Sequence, residues 1–398
     1  MPANFDINAL DRAFLEDPFP TYRALRENDP VHLNADGSYF LTRYADLELC
    51  YKHPAMSSDK KVDFKPNLGD GPLYLHHTTS LVFNDDPYHA RVRKLLAAAF
   101  TPRKLRELEP VIQRTIDTLL DRLEKQGSFD LIDDFALVLP TEIIANMLGV
   151  HEEKRSLLRD YSVKILAALD PRISQQTLDE GNAAVEEFGA YLEELIAERR
   201  QNPDAGGQGE VLAALIFGEV DGERLSLVEL VQNCIFLLNA GHETTANLTA
   251  NGICLLMDYP DQRQRLLDDP GLIDTCIDEI LRFDSPVQLG NRKLTDEVEV
   301  GGVSMPRGTY LHLAIGGANR DPATFADPET FDIGRTPNRH FAFAGGKHIC
   351  LGASLSKIEG RIAIGEFIRR FPDIHENGPR QRLLRARFRG YEHVPVTV

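Results

Sequence analysis

The chain of 398 residues contains no run of 18 uncharged apolar residues. A membrane-spanning helix needs about 20 predominantly apolar residues, so none is predicted. Positive charge is not in surplus: 61 Asp and Glu against 44 Lys and Arg leave a formal net charge of −17. That balance argues against a nucleic-acid surface and against an anionic membrane. Cysteine is scarce. Cys50, Cys234, Cys254, Cys276 and Cys350 are scattered and odd in number, which fits a reducing cytoplasm better than a disulfide framework. The opening MPANFDINALDRAFLEDPFP lacks a basic n-region and an apolar h-region, so no secretory leader is expected.

Linkers, repeats and low-complexity tracts are also missing. Length alone suggests two or three domains. With no Ser/Gly-rich boundary, a single domain over 1–398 is the expectation. Pro203 to Gly209 reads as a surface loop.

What is there is mostly helical patterning. From His89 to about Leu215 the apolar period is that of helices, as in Leu105 to Leu123 and Ala183 to Arg200. Ser226 to Met257 is the longest such segment. It opens with Ser226 and Glu229 at capping-box spacing, stops before Pro260, and at 1.5 Å per residue would run roughly 48 Å. A last helix is expected from Ala353 to about Arg370. Pro30 to Arg43 reads as a hairpin turning at Asp36-Gly37, and Val298 to Leu313 as short strands with Gly and Pro turns. The fold class is therefore mainly α with a smaller β portion.

Chemistry concentrates in two segments. The first is Phe343-Ala344-Gly345-Gly346-Lys347-His348-Ile349-Cys350-Leu351-Gly352. A cysteine thiolate placed just before a helix can ligate a haem iron and favour O–O cleavage. Gly346 and Gly352 would tolerate the tight turn and close approach, and backbone N–H groups would tune the sulfur. The competing reading is a buried structural cysteine. The second segment is Ala240-Gly241-His242-Glu243-Thr244-Thr245 in the long helix. Thr244 can bond back to the carbonyl of residue 240 and open the ladder, and a carboxylate beside a hydroxyl is a proton relay. The competing reading is a helix that carries an unfavourable Gly without return.

The spacing Phe-x-x-Gly-x-His-x-Cys-x-Gly resembles the haem-binding loop of the cytochrome P450 superfamily, with Ala344 where many members carry Gly. Glu243-Thr244 is similar to the superfamily's acid–alcohol pair. Asp85 to Arg93, the pair in Glu279-Ile280-Leu281-Arg282, Ala318 to Pro322 and Phe331 to Arg335 match further landmarks. The resemblance runs from about Pro18 to the C-terminus, in order.

The resemblance implies the cytochrome P450 fold, a haem b cofactor and a monooxygenase that activates O2 to hydroxylate or otherwise oxidise its substrate. Cys350 would be the iron ligand, within a loop shaped by Phe343, Gly346 and Gly352. His89, Arg93, Arg292 and His348 would hold the propionates, where each alone reads as a surface Arg or a capping His. Glu243 and Thr244 would be catalytic. Glu279, Arg282 and Arg335 would form a structural triad, where Glu-x-x-Arg alone reads as a surface pair. Electrons would come from a separate ferredoxin and its NAD(P)H-dependent reductase, with local positive charge at Arg103-Lys104 and Lys347. The bacterial-type members it resembles are soluble, and a monomer is expected. Candidate pocket residues are Phe64, Leu81, Val82, Phe83, Ile235, Leu238, Ala240, Val287 and Leu289. All are apolar, so a hydrophobic small molecule is the expected substrate. A peroxide-driven peroxygenase and a non-catalytic haem or substrate sensor are the alternatives. Peroxygenases of the superfamily usually lack the acid–alcohol pair, and a sensor has no need of it.

Overall fold

A computed structural model describes residues 5–169, 173–202 and 209–398. Of the loop expected at Pro203 to Gly209, residues 203–208 lie outside that description. Helices dominate and the strands are short, so the class is mainly α with a smaller β portion. Among the described residues no helix is long and apolar enough to cross a membrane. The packing divides into two compact units. One comprises the chain up to Ser57, Ile116–Ala136 and Thr244–Val398; the other comprises Ser58–Thr115 and Leu137–Glu243.

The first unit holds a five-stranded sheet. Strands Val31–Leu33 and Tyr39–Leu41 form the expected hairpin, with Gly37 in the left-handed region at φ 83°. Tyr39–Leu41 pairs in parallel with Tyr310–Ala314, which pairs antiparallel with Leu289–Leu294, and Met56–Ser57 closes the edge. Successive strand residues face opposite sides. Phe40 and Ala314 therefore enter an aromatic cluster with Phe14, Phe19 and Tyr22, while Leu41 and Leu313 enter a second cluster with Tyr51 and Phe341. Val298–Val300 and Val303–Met305 pair as a separate small hairpin. In the same unit the helices Ile273–Phe283 and Ala353–Arg370 pack against each other. Gly252 lets the long helix approach both. A Cβ there would meet Ile364 at 2.5 Å and Ile280 at 2.9 Å.

The second unit is helical. Helix Glu152–Ala167 lies along Gln175–Gln201, with Tyr161 stacked on Phe188 at 5.4 Å. Ser174 caps the latter helix by accepting from the Thr177 N–H. The Asn182 side chain accepts from the Leu73 N–H at 2.9 Å, at the first turn of helix Pro72–Thr79.

The long helix runs Leu227–Asp258, and its residues up to Glu243 belong to the second unit and those from Thr244 to the first. Its N-terminus is the reciprocal cap read from the sequence. The Ser226 N–H donates to Glu229 Oε2 at 2.9 Å, and the Glu229 N–H donates to Ser226 Oγ at 3.3 Å.

Candidate active site

The Cys350 loop is short and tightly rooted. The Ala344 N–H donates to the Phe341 carbonyl at 2.8 Å, and the Cys350 N–H to the Phe343 carbonyl at 2.9 Å. Between them lies one 3-10 turn, Gly346–His348. Phe341 anchors the base, stacked on Tyr44 at 4.3 Å and tilted against Tyr51 at 5.2 Å. Two residues adopt left-handed backbone, Ala344 at φ 57° and Gly346 at φ 64°. Gly346 has no substitute there, because a Cβ would overlap the Tyr51 carbonyl oxygen. Ala344 carries backbone strain that a glycine would not. Gly352 differs from expectation: its φ is −86° and a Cβ would meet nothing within 4 Å. Close approach within this chain therefore explains Gly346 and not Gly352.

Cys350 is exposed and forms no disulfide, whereas Cys50, Cys234, Cys254 and Cys276 are all buried. Burial pushes each of those four thiols up to about 12. A thiol that must become a metal-binding thiolate needs the opposite surroundings. Ile349, also exposed, adds apolar surface beside the sulfur. Phe343 is half-buried, its ring 5.9 Å from His340.

The same unit holds Arg292 and His348. Arg292 extends from strand Leu289–Leu294 with its guanidinium 5.3 Å from the Tyr51 ring centroid, and Nη1 donates to the Asn291 carbonyl at 2.7 Å. The other unit holds His89 and Arg93, one turn apart on helix Tyr88–Ala97. His89 is buried, with Nδ1 3.5 Å from Asp86. Burial, and then the Arg93 charge, press its pKa below the ordinary value.

Along the long helix, Ala240 is exposed, while Phe236, Glu243 and Thr244 are half-buried. Ile235 and Leu238 are fully buried. The open stripe is thus Phe236, Ala240 and Thr244, four residues apart on one face. The sequence reading missed Phe236 because amphipathicity does not show which flank of a buried helix is left uncovered. His242 turns inward, its ring bonded to the Leu137 backbone, and burial, aided by the Arg159 charge, lowers it to about 4. Thr245 also points inward, onto Glu359 of helix Ala353–Arg370. Burial pushes that carboxyl up to about 8, and no motif drew attention to it.

Of the remaining pocket candidates, Phe64 and Phe83 make an edge-to-face pair at 5.1 Å. Leu81 is buried, its N–H donating to Asn233 Oδ1 at 3.1 Å, and Val82 is exposed. Val287 is half-buried in a lone bridge with Phe388. Leu289 packs into the aromatic cluster around Phe14 and Phe40.

The family model "Cytochrome P450" matches residues 40–381. The chain belongs to the cytochrome P450 family. It is 34% identical over 394 residues to the "Biotin biosynthesis cytochrome P450" of Bacillus subtilis, covering 96% of this chain and 97% of that one. It is 38% identical over 365 residues to the "Vitamin D(3) 25-hydroxylase" of Pseudonocardia autotrophica, covering 91% and 88%. Among solved structures, P450BioI in complex with hexadec-9Z-enoic acid ligated acyl carrier protein superposes with a TM-score of 0.91 at 33% identity, covering 97% and 99%. CYP109E1 from Bacillus megaterium in complex with testosterone gives 0.85 at 30%, covering 96% and 99%. The protein is accordingly a monooxygenase of the P450 fold, and its cofactor is haem b. The residues fit that group: one exposed thiol on a rigid loop, apolar surface beside it, and a cation at Arg292.

This P450 also buries a charge cluster. Glu279 and Arg282 are both fully buried and form a bidentate pair, with Nε–Oε2 and Nη2–Oε1 each 2.8 Å. Arg335 reaches the same carboxylate at 3.1 Å, and Asn338 donates to it at 3.1 Å. Arg282 spends its remaining donors on the carbonyls of Asn319, Pro328 and Thr330. The three sequence candidates therefore meet, with the two guanidinium groups sharing the one Glu279 carboxylate.

Proposed function

We propose that this P450 oxidises a hydrophobic small molecule, with electrons from a separate ferredoxin and its NAD(P)H-dependent reductase. The observation that carries the reading is the contrast among the cysteines: Cys350 alone is exposed, on a loop whose path Gly346 enforces. When bound, the haem supplies O2 activation at an iron whose thiolate ligand favours O–O cleavage. Cys350 is the proposed ligand, and Phe343 flanks it. Arg292, His348, His89 and Arg93 supply donors for the two propionates. Glu243 and Thr244 hold and pass protons, the carboxylate as source and the hydroxyl as the group that orients a water. Phe236 and Ala240 wall the adjoining space, with Phe64, Val82, Phe83 and Val287 as further apolar candidates. Relatives named for vitamin D and solved with testosterone support a substrate with a large apolar skeleton. Glu279, Arg282 and Arg335 hold the framework. The whole chain works as one catalytic domain, a monomer in the cytoplasm, and the scattered cysteines support that compartment.

The test is spectroscopic. Cys350→Ser should lose the red-shifted Soret band of the thiolate-ligated carbonyl haem, while Cys234→Ala, Cys254→Ala and Cys276→Ala keep it. Retention of the band in Cys350→Ser would reassign the ligand. Turnover with surrogate ferredoxin partners, compared with H2O2 alone, then separates the monooxygenase from a peroxygenase, and no turnover with either marks a sensor.

A further inference from the structure

A buried relay in the helical unit ends without a partner. His76, on helix Pro72–Thr79, is buried, with Nδ1 3.1 Å from Gln232 Oε1 and Nε2 3.4 Å from Asn239 Nδ2. A neutral imidazole has one donor and one acceptor nitrogen. In this geometry Nδ1–H donates to Gln232 and Nε2 accepts from Asn239. Burial supports the neutral ring, lowering His76 to about 4. The relay leaves Asn239 Oδ1 buried with no hydrogen-bond partner. The next residue, His77, is 2% exposed, and its Nε2 is buried without a partner as well. Its ring packs on Phe64 at 5.5 Å and against Phe83 at 5.7 Å, two of the apolar pocket candidates. Buried polar atoms are nearly always bonded. Apolar side chains of similar shape would pack the same space with no unmet demand.

We propose that Asn239 and His77 form a hydrogen-bonding anchor for the hydroxyl group of an otherwise apolar, uncharged substrate. The proposal rests on the monooxygenase reading above and deepens it by naming a substrate class, apolar alcohols. A hydroxyl both donates and accepts, so it satisfies Asn239 whichever way the His76 relay is polarised. A carboxylate does not fit. Burial presses both histidines away from the charged form, and an unpaired buried carboxylate is costly. Asn239 precedes Glu243 by four residues and shares its face of the helix, about 6 Å away along the axis. The anchored hydroxyl would therefore be set apart from the oxidised carbon, and the anchor would govern where oxygen enters.

The test uses haem-loaded protein and matched probes: cyclododecanol with cyclododecane, and decan-1-ol with decane and decanoate. Binding is read as the haem spin-state change. At least one alcohol should bind the wild type about tenfold more tightly than its hydrocarbon, the scale of one hydrogen bond to a buried group. Asn239→Leu should reduce that ratio to about twofold or less while leaving hydrocarbon affinity in place, and His77→Phe should lower it in part. Three results overturn the anchor. One is equal affinities within every pair, or no response to any alcohol, as a merely trapped water at Asn239 would give. Another is an alcohol preference that survives both substitutions. The third is decanoate binding more tightly than decan-1-ol. The carbonyl-haem spectrum is recorded on each protein. A normal thiolate band without alcohol preference removes the anchor alone; a wild type lacking that band removes the reading beneath it.

Discussion

Replacing Glu359 by Gln removes an ionisation while nearly preserving the shape of a buried side chain. Glu359 is 3% exposed on helix Ala353–Arg370, hydrogen-bonded to Thr245, and burial raises its carboxyl from the ordinary 4.5 to about 8. Between those values the folded protein keeps a proton that the unfolded chain releases. The folded state then binds more protons, so wild-type stability falls as pH rises through this window. The interval is about 3.5 pH units, and at about 1.36 kcal/mol per unit the loss reaches about 5 kcal/mol by pH 8. Glutamine has no proton to lose and keeps a polar contact for Thr245. Any packing cost of its own is the same at every pH. Urea unfolding followed by circular dichroism at pH 5, 6.5 and 8 should therefore show the stability of Glu359→Gln, relative to wild type, rising with pH by several kcal/mol. Other titrating groups are common to both proteins and cancel in the difference. Parallel stability-against-pH curves would refute the reasoning, since they would mean that Glu359 is ionised in the folded protein.

Arg282→Ala leaves the Glu279 carboxylate buried with only Arg335 as cation, and should cost about 3–5 kcal/mol; an unchanged melting midpoint and normal haem retention would show the cluster to be dispensable. Thr244→Ala should bind haem and substrate normally, yet yield less product and more H2O2 per NAD(P)H, and unchanged coupling would remove the proton-positioning role. Glu243→Gln should slow turnover, by up to about 10²- to 10⁴-fold if it is the proton source, measured at saturating substrate. In the loop, Gly346→Ala should sharply lower haem retention, whereas Gly352→Ala should leave haem-free stability within about 0.5 kcal/mol. Ala344→Gly should cost nothing there and raise stability by up to about 1 kcal/mol, because it relieves left-handed strain at φ 57°; equal loss of haem in all three variants would contradict the local geometry.

Local interactions were legible in the residues because their partners lie a few positions apart. The capping box at Ser226 and Glu229, the hairpin at Asp36-Gly37 and the helix from Ala353 each depend on short spacing, and each stands where the pattern put it. The family and its haem were legible for a related reason: the Cys350 segment carries its fixed spacing in ten consecutive residues. Contacts across more than a hundred residues left no such trace. That Tyr51 makes Gly346 obligatory, that Thr245 faces Glu359, and that His76 reaches Asn239 follow only from which elements pack together. Burial divided the apolar candidates in the same way. Ile235, Leu238 and Leu289 are as hydrophobic as any wall residue, but packing covers them and leaves Phe236 and Ala240 less covered. Composition and period say that a side chain is apolar; only the neighbours brought in by the tertiary fold decide whether it meets core or open space.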